Sequence, residues 1–363
     1  MDYRILIEIM KTTNRALVSQ TYDTIRDLFN TAKQESIQYA YDDEIDYKER
    51  LDYKHYTSIY NLANTLLEQK RFVGNANDFH NLSVEFANNN DQDYACRILE
   101  KGIMCFPTSV DLLADYLAYC NGVNTGMSDE TREYAEKCRS SLSKIHIKKW
   151  NWRGFLFSIT YLLEVYENSN QNYFSIAKTH YADSIDKEIE FLINAYKKYL
   201  PGDERAYVME DRYLVITHDN AKEEMRKEIL LPVIQGKTPV NRTTQVAFLL
   251  AKIYFDETKY SDTIDLLNSC MADINSDRPD YGINVIYNLL AFSRLSKYYY
   301  DYIETGLQAD PNSSKEQEAK LIYRDFYSLS QIEPHNHQLL TLLKIFNLQT
   351  GISNDYEPEA NVY

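Results

Sequence analysis

Glycine and proline are scarce, at 10 and 8 of 363 residues. That scarcity excludes an architecture of many short strands, because β sandwiches and barrels need a turn signal every few residues. Also lacking is any apolar run near the ~18 residues a membrane span requires. The opening stretch, MDYRILIEIMKTTNRALV, is interrupted by Arg4, Glu8 and Lys11 before a signal-peptide core could form. The expectation is a cytoplasmic protein that does not engage a membrane. Cysteines number five (Cys96, Cys105, Cys120, Cys138 and Cys270), an odd count without a C-x-x-C pair. Set in apolar helical stretches, they read as reduced, core-filling thiols and not as a disulfide framework. Positive charge is short as well, with 39 Lys and Arg against 54 Asp and Glu and a net charge of −15. Such a chain repels nucleic acid and anionic lipid as a whole, so nucleic acid is a disfavoured partner unless a local basic patch overrides that field.

What is present is an ordinary globular balance, 44% apolar and 26% charged residues, enough to bury a core. Tyrosine is unusually common at 32 residues, a drift expected of an AT-rich bacterial coding sequence. Helix-period patterning runs almost from end to end and breaks where helices would stop. Apolar positions Ile5, Ile9, Leu17, Ile25, Leu28 and Phe29 suggest two short helices; a Tyr- and Asp-rich segment, 39–47, opens a further helix through Ile59, Leu62, Leu66 and Leu67. Neither stretch can bury its face alone, so residues 1–70 read as an N-terminal helical cap or small bundle.

From about residue 76 the pattern becomes repetitive. Residues 76–109 place Phe79, Leu82, Ser83 and Phe86 on one helix, then Ala95, Leu99, Gly102 and Pro107 on and after a second. Residues 244–277 repeat the sizes with Ala247, Leu250, Ala251 and Tyr254, then Tyr260, Thr263, Leu267 and Cys270; Asn275 stands where a proline would close the unit. A third unit, 280–313, carries Ile283, Ile286, Tyr287 and Leu290, then Tyr299, Ile303, Gly306 and Pro311, with tyrosines at two positions that small residues would fill. This succession resembles the tetratricopeptide repeat, a helix–turn–helix of about 34 residues in which small residues let two helices approach and large ones fill the groove to the next pair. The resemblance implies an all-α fold, an α-solenoid of tetratricopeptide-like repeats over 71–350, with degenerate units at 110–143, 150–200, 203–235 and 315–349. An irregular helical bundle is the alternative. Residues 351–363 read as a flexible acidic tail.

No catalytic constellation emerges. QGKTP at 235–239 ends like a phosphate-binding loop, but Leu231 occupies the position where that loop needs glycine, so the stretch reads as an inter-helix turn. His335 and His337 form an H-x-H after Pro334 with no further ligand nearby in sequence. No HEXXH and no nucleophile elbow occurs. The expectation is a protein that is not an enzyme and carries no cofactor or metal.

Two sets of residues are candidates for holding a partner. The segment 143–155, SKIHIKKWNWRGF, brings Lys144, Lys148, Lys149 and Arg153 together with Trp150 and Trp152 and no acid. Basic residues interleaved with aromatics can bind an acidic peptide or single-stranded nucleic acid, while tryptophan at the start of a repeat helix is commonly a packing residue. The second set follows from the resemblance, which implies a concave face lined by the first helix of each pair; here it would include His80, Lys252, Asn284 and Asn288. Phe248 and Val84 stand where the carboxylate-gripping subtype of the family needs polar groups, which argues against that subtype. The function implied is a scaffold or adaptor holding another protein or peptide, with an acidic segment as one form of partner and self-association left open. The alternative is a peptide-sensing regulatory receptor that controls a transcription factor or effector; no helix-turn-helix for direct DNA contact is evident.

Overall fold

A computed structural model describes residues 24–32, 51–67, 75–89, 91–121, 129–167, 178–217, 223–274, 283–300 and 319–327. The readings made for Ile5, Ile9 and Leu17, for 39–47, for His335 and His337 and for the 351–363 tail lie outside those residues. Every regular element is helical, with no strand among the described residues. Contacts gather into two units, residues 1–200 and 201–363.

The first unit begins with α1 (24–32) and α2 (Leu51–Leu67), followed by α3 (Ala76–Ala87), α4 (Gln92–Cys105), α5 (Val110–Asn121) and α6 (Asp129–Ser143). A 3-10 turn, Ile147–Lys149, leads into α7 (Trp152–Glu167), and α8 (Ile185–Tyr199) closes the unit. Asn75 starts α3 by accepting from the Asp78 amide while Asp78 accepts from the Asn75 amide, a reciprocal cap that satisfies two otherwise orphan donors. Asp91 caps α4 with a single bond, its side chain accepting from the Tyr94 amide at 3.0 Å. Helix α3 packs on α4 and α5, α5 on α6 and α7, and α7 on α8. Helices α3 and α5 therefore each touch both their own second helix and the first helix of the next pair.

The side chains singled out in 76–109 are those that make this packing. Phe79, Leu82, Ser83 and Phe86 are buried on α3, and Ala95, Leu99 and Gly102 on α4. Gly102 is small for a steric reason: a Cβ there would meet Phe79 Cγ at 2.8 Å and Leu112 Cδ1 at 3.1 Å. Phe86 is fully buried and meets Phe29 of α1 at 5.2 Å, Tyr60 of α2 at 5.5 Å and Tyr94 of α4 at 4.4 Å between ring centroids. Its burial joins α1 and α2 to the first pair and stabilises by roughly 1.5–3 kcal/mol relative to exposure.

The second unit contains α9 (Arg205–Thr217), α10 (Glu223–Ile234), α11 (Thr244–Asp256), α12 (Tyr260–Ile274) and α13 (Ile283–Tyr299), then α14 (319–327). The same alternation holds: α9 packs on α10 and α11, and α11 on α12 and α13. Ala251, Leu267, Ile286 and Leu290 form one buried cluster across α11, α12 and α13, with Phe248 and Ile264 against it. Asp211 on α9 accepts two bonds from the Arg226 fork of α10, at 2.7 and 2.9 Å. Glu204, ahead of α9, accepts from the Gln245 and Val246 amides at 3.0 and 3.4 Å and so meets the first turn of α11; burial pushes its carboxyl above the usual range.

The GKT stretch is a turn after α10, where Gly236 adopts φ +69°, a left-handed conformation that favours glycine. Helix α13 runs without a break through Tyr299, whereas the repeat pattern put a turn ahead of it; INVIYNLLAFSRLSKYY holds no Gly or Pro to stop the helix. Cys96, Cys120 and Cys138 are buried and free, but Cys105 is exposed at the end of α4, so that one thiol is not core filling. The Cys120 thiol is pushed up first by its hydrogen bond with Cys96 and then by burial, and burial likewise pushes up Cys138; both stay unreactive thiols.

Candidate functional site

Residues picked from separate parts of the sequence meet in the first unit. His80 on α3 donates from Nδ1 to Asp115 Oδ2 on α5 at 2.6 Å. Arg153 on α7 places Nη1 3.1 Å from both ring nitrogens of His80. Equal distances put the guanidinium over the imidazole face, because an in-plane approach at that range would collide with the ring carbon between the nitrogens. The same Nη1 lies 3.5 Å from Asp115 Oδ1 and 4.0 Å from Asp111 Oδ1. Three successive first helices thus contribute to one cluster.

Local structure explains why the cluster holds its shape. Asn151 accepts from the Gly154 amide at 3.1 Å, capping α7, and donates to Asp111 Oδ1 at 2.7 Å. Gly154 lets α7 close on α5, since a Cβ would lie 2.8 Å from Val110 Cγ1. Ser83 donates to the His80 carbonyl at 2.8 Å and stands 3.4 Å from the Tyr119 hydroxyl; burial pushes that hydroxyl up to about 12. Side-chain exposure grades from 6% at Asp115 through 15% at His80 and 24% at Arg153 to 49% at Asp111. Solvent, and anything in it, reaches the cluster through Asp111 and Arg153.

The basic segment divides in two. Lys148 and Lys149 are exposed on the 3-10 turn, as is Lys144 just before it. Trp150 is 4% exposed and packs 5.4 Å from Phe155 and 6.2 Å from Tyr181, a core position and not a stacking surface. Trp152 is half-buried with the Arg153 guanidinium 5.2 Å from its ring. Two carboxylates surround Arg153, so its charge is met within the fold, and only the lysines remain as an outward cationic edge.

In the second unit, Lys252 is exposed on α11 and Asn288 half-buried on α13; no hydrogen bond or ion pair among the described residues joins them. Asn284 lies in the first turn of α13, and its side chain is outside the described residues.

Sequence reasoning missed Asp111, Asp115, Asn151 and Tyr119. A signal for Asp115 exists: it stands 35 residues after His80, close to one repeat length of about 34, and Asp111 precedes it by one helical turn on the same face. With 54 acids in the chain, that spacing does not stand out unless the repeats are first set in register.

A second buried polar cluster braces the next pair. Arg139 on α6, 3% exposed, donates to Glu136 at 3.1 Å and to Glu188 of α8 at 2.7 Å. It also donates to the Lys178 carbonyl at 3.0 Å, while Glu136 accepts from the Lys178 amide at 3.2 Å and Glu188 from the Tyr181 amide at 3.2 Å. The segment 178–181 is thereby pinned to both helices. Burial first, and Arg139 second, hold the His180 imidazole below its usual range.

Among the described residues no group of three His, Cys, Asp or Glu side chains is placed to hold a metal, and no helix is long and apolar enough to cross a membrane. No protein-family model matches the chain, and no curated protein matches it in sequence.

Proposed function

We propose that the chain is a non-catalytic scaffold, an α-solenoid of tetratricopeptide-like helix pairs, that works in the cytoplasm by holding a partner protein or peptide on the face its first helices share. The observation that carries this reading is the junction of His80, Asp115 and Arg153 from α3, α5 and α7. A partner laid across successive first helices would meet polar groups whose positions are already fixed, which lowers the ordering cost of binding. The alternation of contacts, in which α3, α5, α9 and α11 each touch their own mate and the next first helix, supports the solenoid.

The test begins with affinity purification of the tagged full chain from its native host and identification of the co-purifying protein. Binding of that protein is then measured against three variants by calorimetry. Arg153→Ala and Asp111→Ala are expected to weaken it at least ~10-fold, about 1.4 kcal/mol, while Lys137→Ala, an exposed position on the second helix α6, leaves it unchanged. Equal affinity for all three would remove the first-helix face from the account.

A further inference from the structure

The segment 178–184 runs ahead of α8 without helix and is held as a strap largely through its main chain. The Lys178 amide donates to Glu136 at 3.2 Å, and the Lys178 carbonyl accepts from Arg139 at 3.0 Å. The His180 and Tyr181 amides both donate to Glu188. What the strap covers is aromatic: the Tyr181 ring lies edge-on to Trp150 at 6.2 Å and stacks on Phe191 of α8 at 5.2 Å. Phe191 is already 41% exposed with the strap in place, so lifting Tyr181 would open an aromatic surface that includes the core indole.

One side chain on the strap is poorly provided for. The Nε2 atom of His180 is buried with no hydrogen-bond partner among the described residues. A neutral imidazole tolerates this by presenting a bare lone pair there; the imidazolium carries N–H on both nitrogens and would bury a donor and a charge together. Neither nearby carboxylate reaches Nε2, and neither can turn toward it without loosening its present bonds. Glu136 accepts from Arg139 through both oxygens and from the Lys178 amide through one, and the Tyr161 hydroxyl of α7 bonds it as well. Glu188 meets Arg139 with one oxygen and the two strap amides with the other. Among the charges facing the ring, Arg139 and Lys178 oppose a proton while Glu136 and Glu188 favour it; burial, the largest influence, tips that balance against the cation.

We propose that the 178–184 strap is an acid-released latch: a proton from solvent taken up by His180 frees the segment from α6 and α8 and carries Tyr181 off Trp150 and Phe191. The closed strap binds that proton more weakly than the open one. Closure is therefore at full strength above the ordinary histidine value of about 6.5 and is lost progressively as pH falls below it. Within that window the ratio of open to closed strap rises by up to ~10-fold per pH unit. The latch needs no partner on the first-helix face and stands independently of that reading.

The test is amide hydrogen exchange of the full chain between about pH 7.5 and about pH 5.5, expressed as protection factors. These remove the pH dependence of the chemical step and detect even a sparsely open strap. Protection over 178–184 is expected to fall by up to ~10-fold per pH unit below about 6.5, while α11, in the other unit, keeps its protection. In His180→Gln or His180→Asn, which hold no titrating ring, the fall is expected to vanish. His180→Arg, charged throughout the range, is expected to leave the strap open at neutral pH, with more acrylamide quenching of tryptophan fluorescence and unchanged helical circular dichroism. Flat protection in the parent, the same fall in both uncharged variants, or a His180→Arg strap as protected as the parent's would each overturn the proposal. An equal fall across α11 would also overturn it, as general acid destabilisation.

Discussion

Replacing Arg139 with alanine is expected to destabilise the first unit by about 3–5 kcal/mol, the range found when one member of a buried ion pair is removed. For a unit of this size that corresponds to a melting temperature lower by about 6–20 °C, read by thermal circular dichroism. The cause is what remains behind. Glu136 and Glu188 are 8% and 1% exposed, and without the guanidinium both carboxylates stay buried with no counter-charge, while the Lys178 carbonyl loses its donor. Replacing all three side chains by leucine or methionine removes the stranded charges, so it should recover part of the loss. Recovery stays incomplete because the Lys178 and Tyr181 amides then lack acceptors. A second readout follows from His180. Arg139 is one of the causes holding that imidazole low, so in Arg139→Ala the His180 ring should titrate at higher pH, a shift visible by NMR. A variant as stable as the parent would mean that the 178–181 segment is held by packing alone.

Phe155→Ala is expected to cost about 3–5 kcal/mol, as for other large-to-small changes of a buried phenylalanine. The Phe155 side chain is fully buried. Its ring stacks on Tyr196 of α8 at 4.9 Å with a 12° interplanar angle and lies 5.4 Å from Trp150. The cavity would therefore open between the two helices of one pair and beneath the indole that precedes α7. Near-ultraviolet circular dichroism from Trp150 should fall along with the melting temperature. Because Arg153 sits two residues earlier on the same helix, partner binding should weaken in the same variant even where the protein remains folded. Retention of the tryptophan signal would show that Trp150 is fixed without Phe155.

The sequence made the helix pairs legible wherever a size pattern was imposed by packing. In 76–109, Phe79 and Gly102 are a large and a small residue that meet across α3 and α4, and the motif holds because neither can change size alone. The pattern failed at Tyr299, where a turn follows from the repeat scheme but no Gly or Pro is present to make it, and α13 simply continues. The two tryptophans illustrate a different limit. Both lie among lysines, yet Trp150 packs inward against Phe155 and Tyr181 while Trp152 stays half-exposed; the adjacent residues do not distinguish them, because one of the rings that cover Trp150 comes from Tyr181, far along the chain. His80 and Arg153 were legible as polar residues on helices. That they share Asp115 was not, since the contact depends on α5 standing between α3 and α7.

The account rests on a partner being held where successive first helices stand side by side. Hydrogen exchange of the full chain, with and without the partner recovered from its host, tests this directly. The expected result is slower exchange in α3, α5 and α7, with α4, α6 and α8 unaffected. Protection confined to the second helices, or no protection anywhere in the first unit, would contradict it.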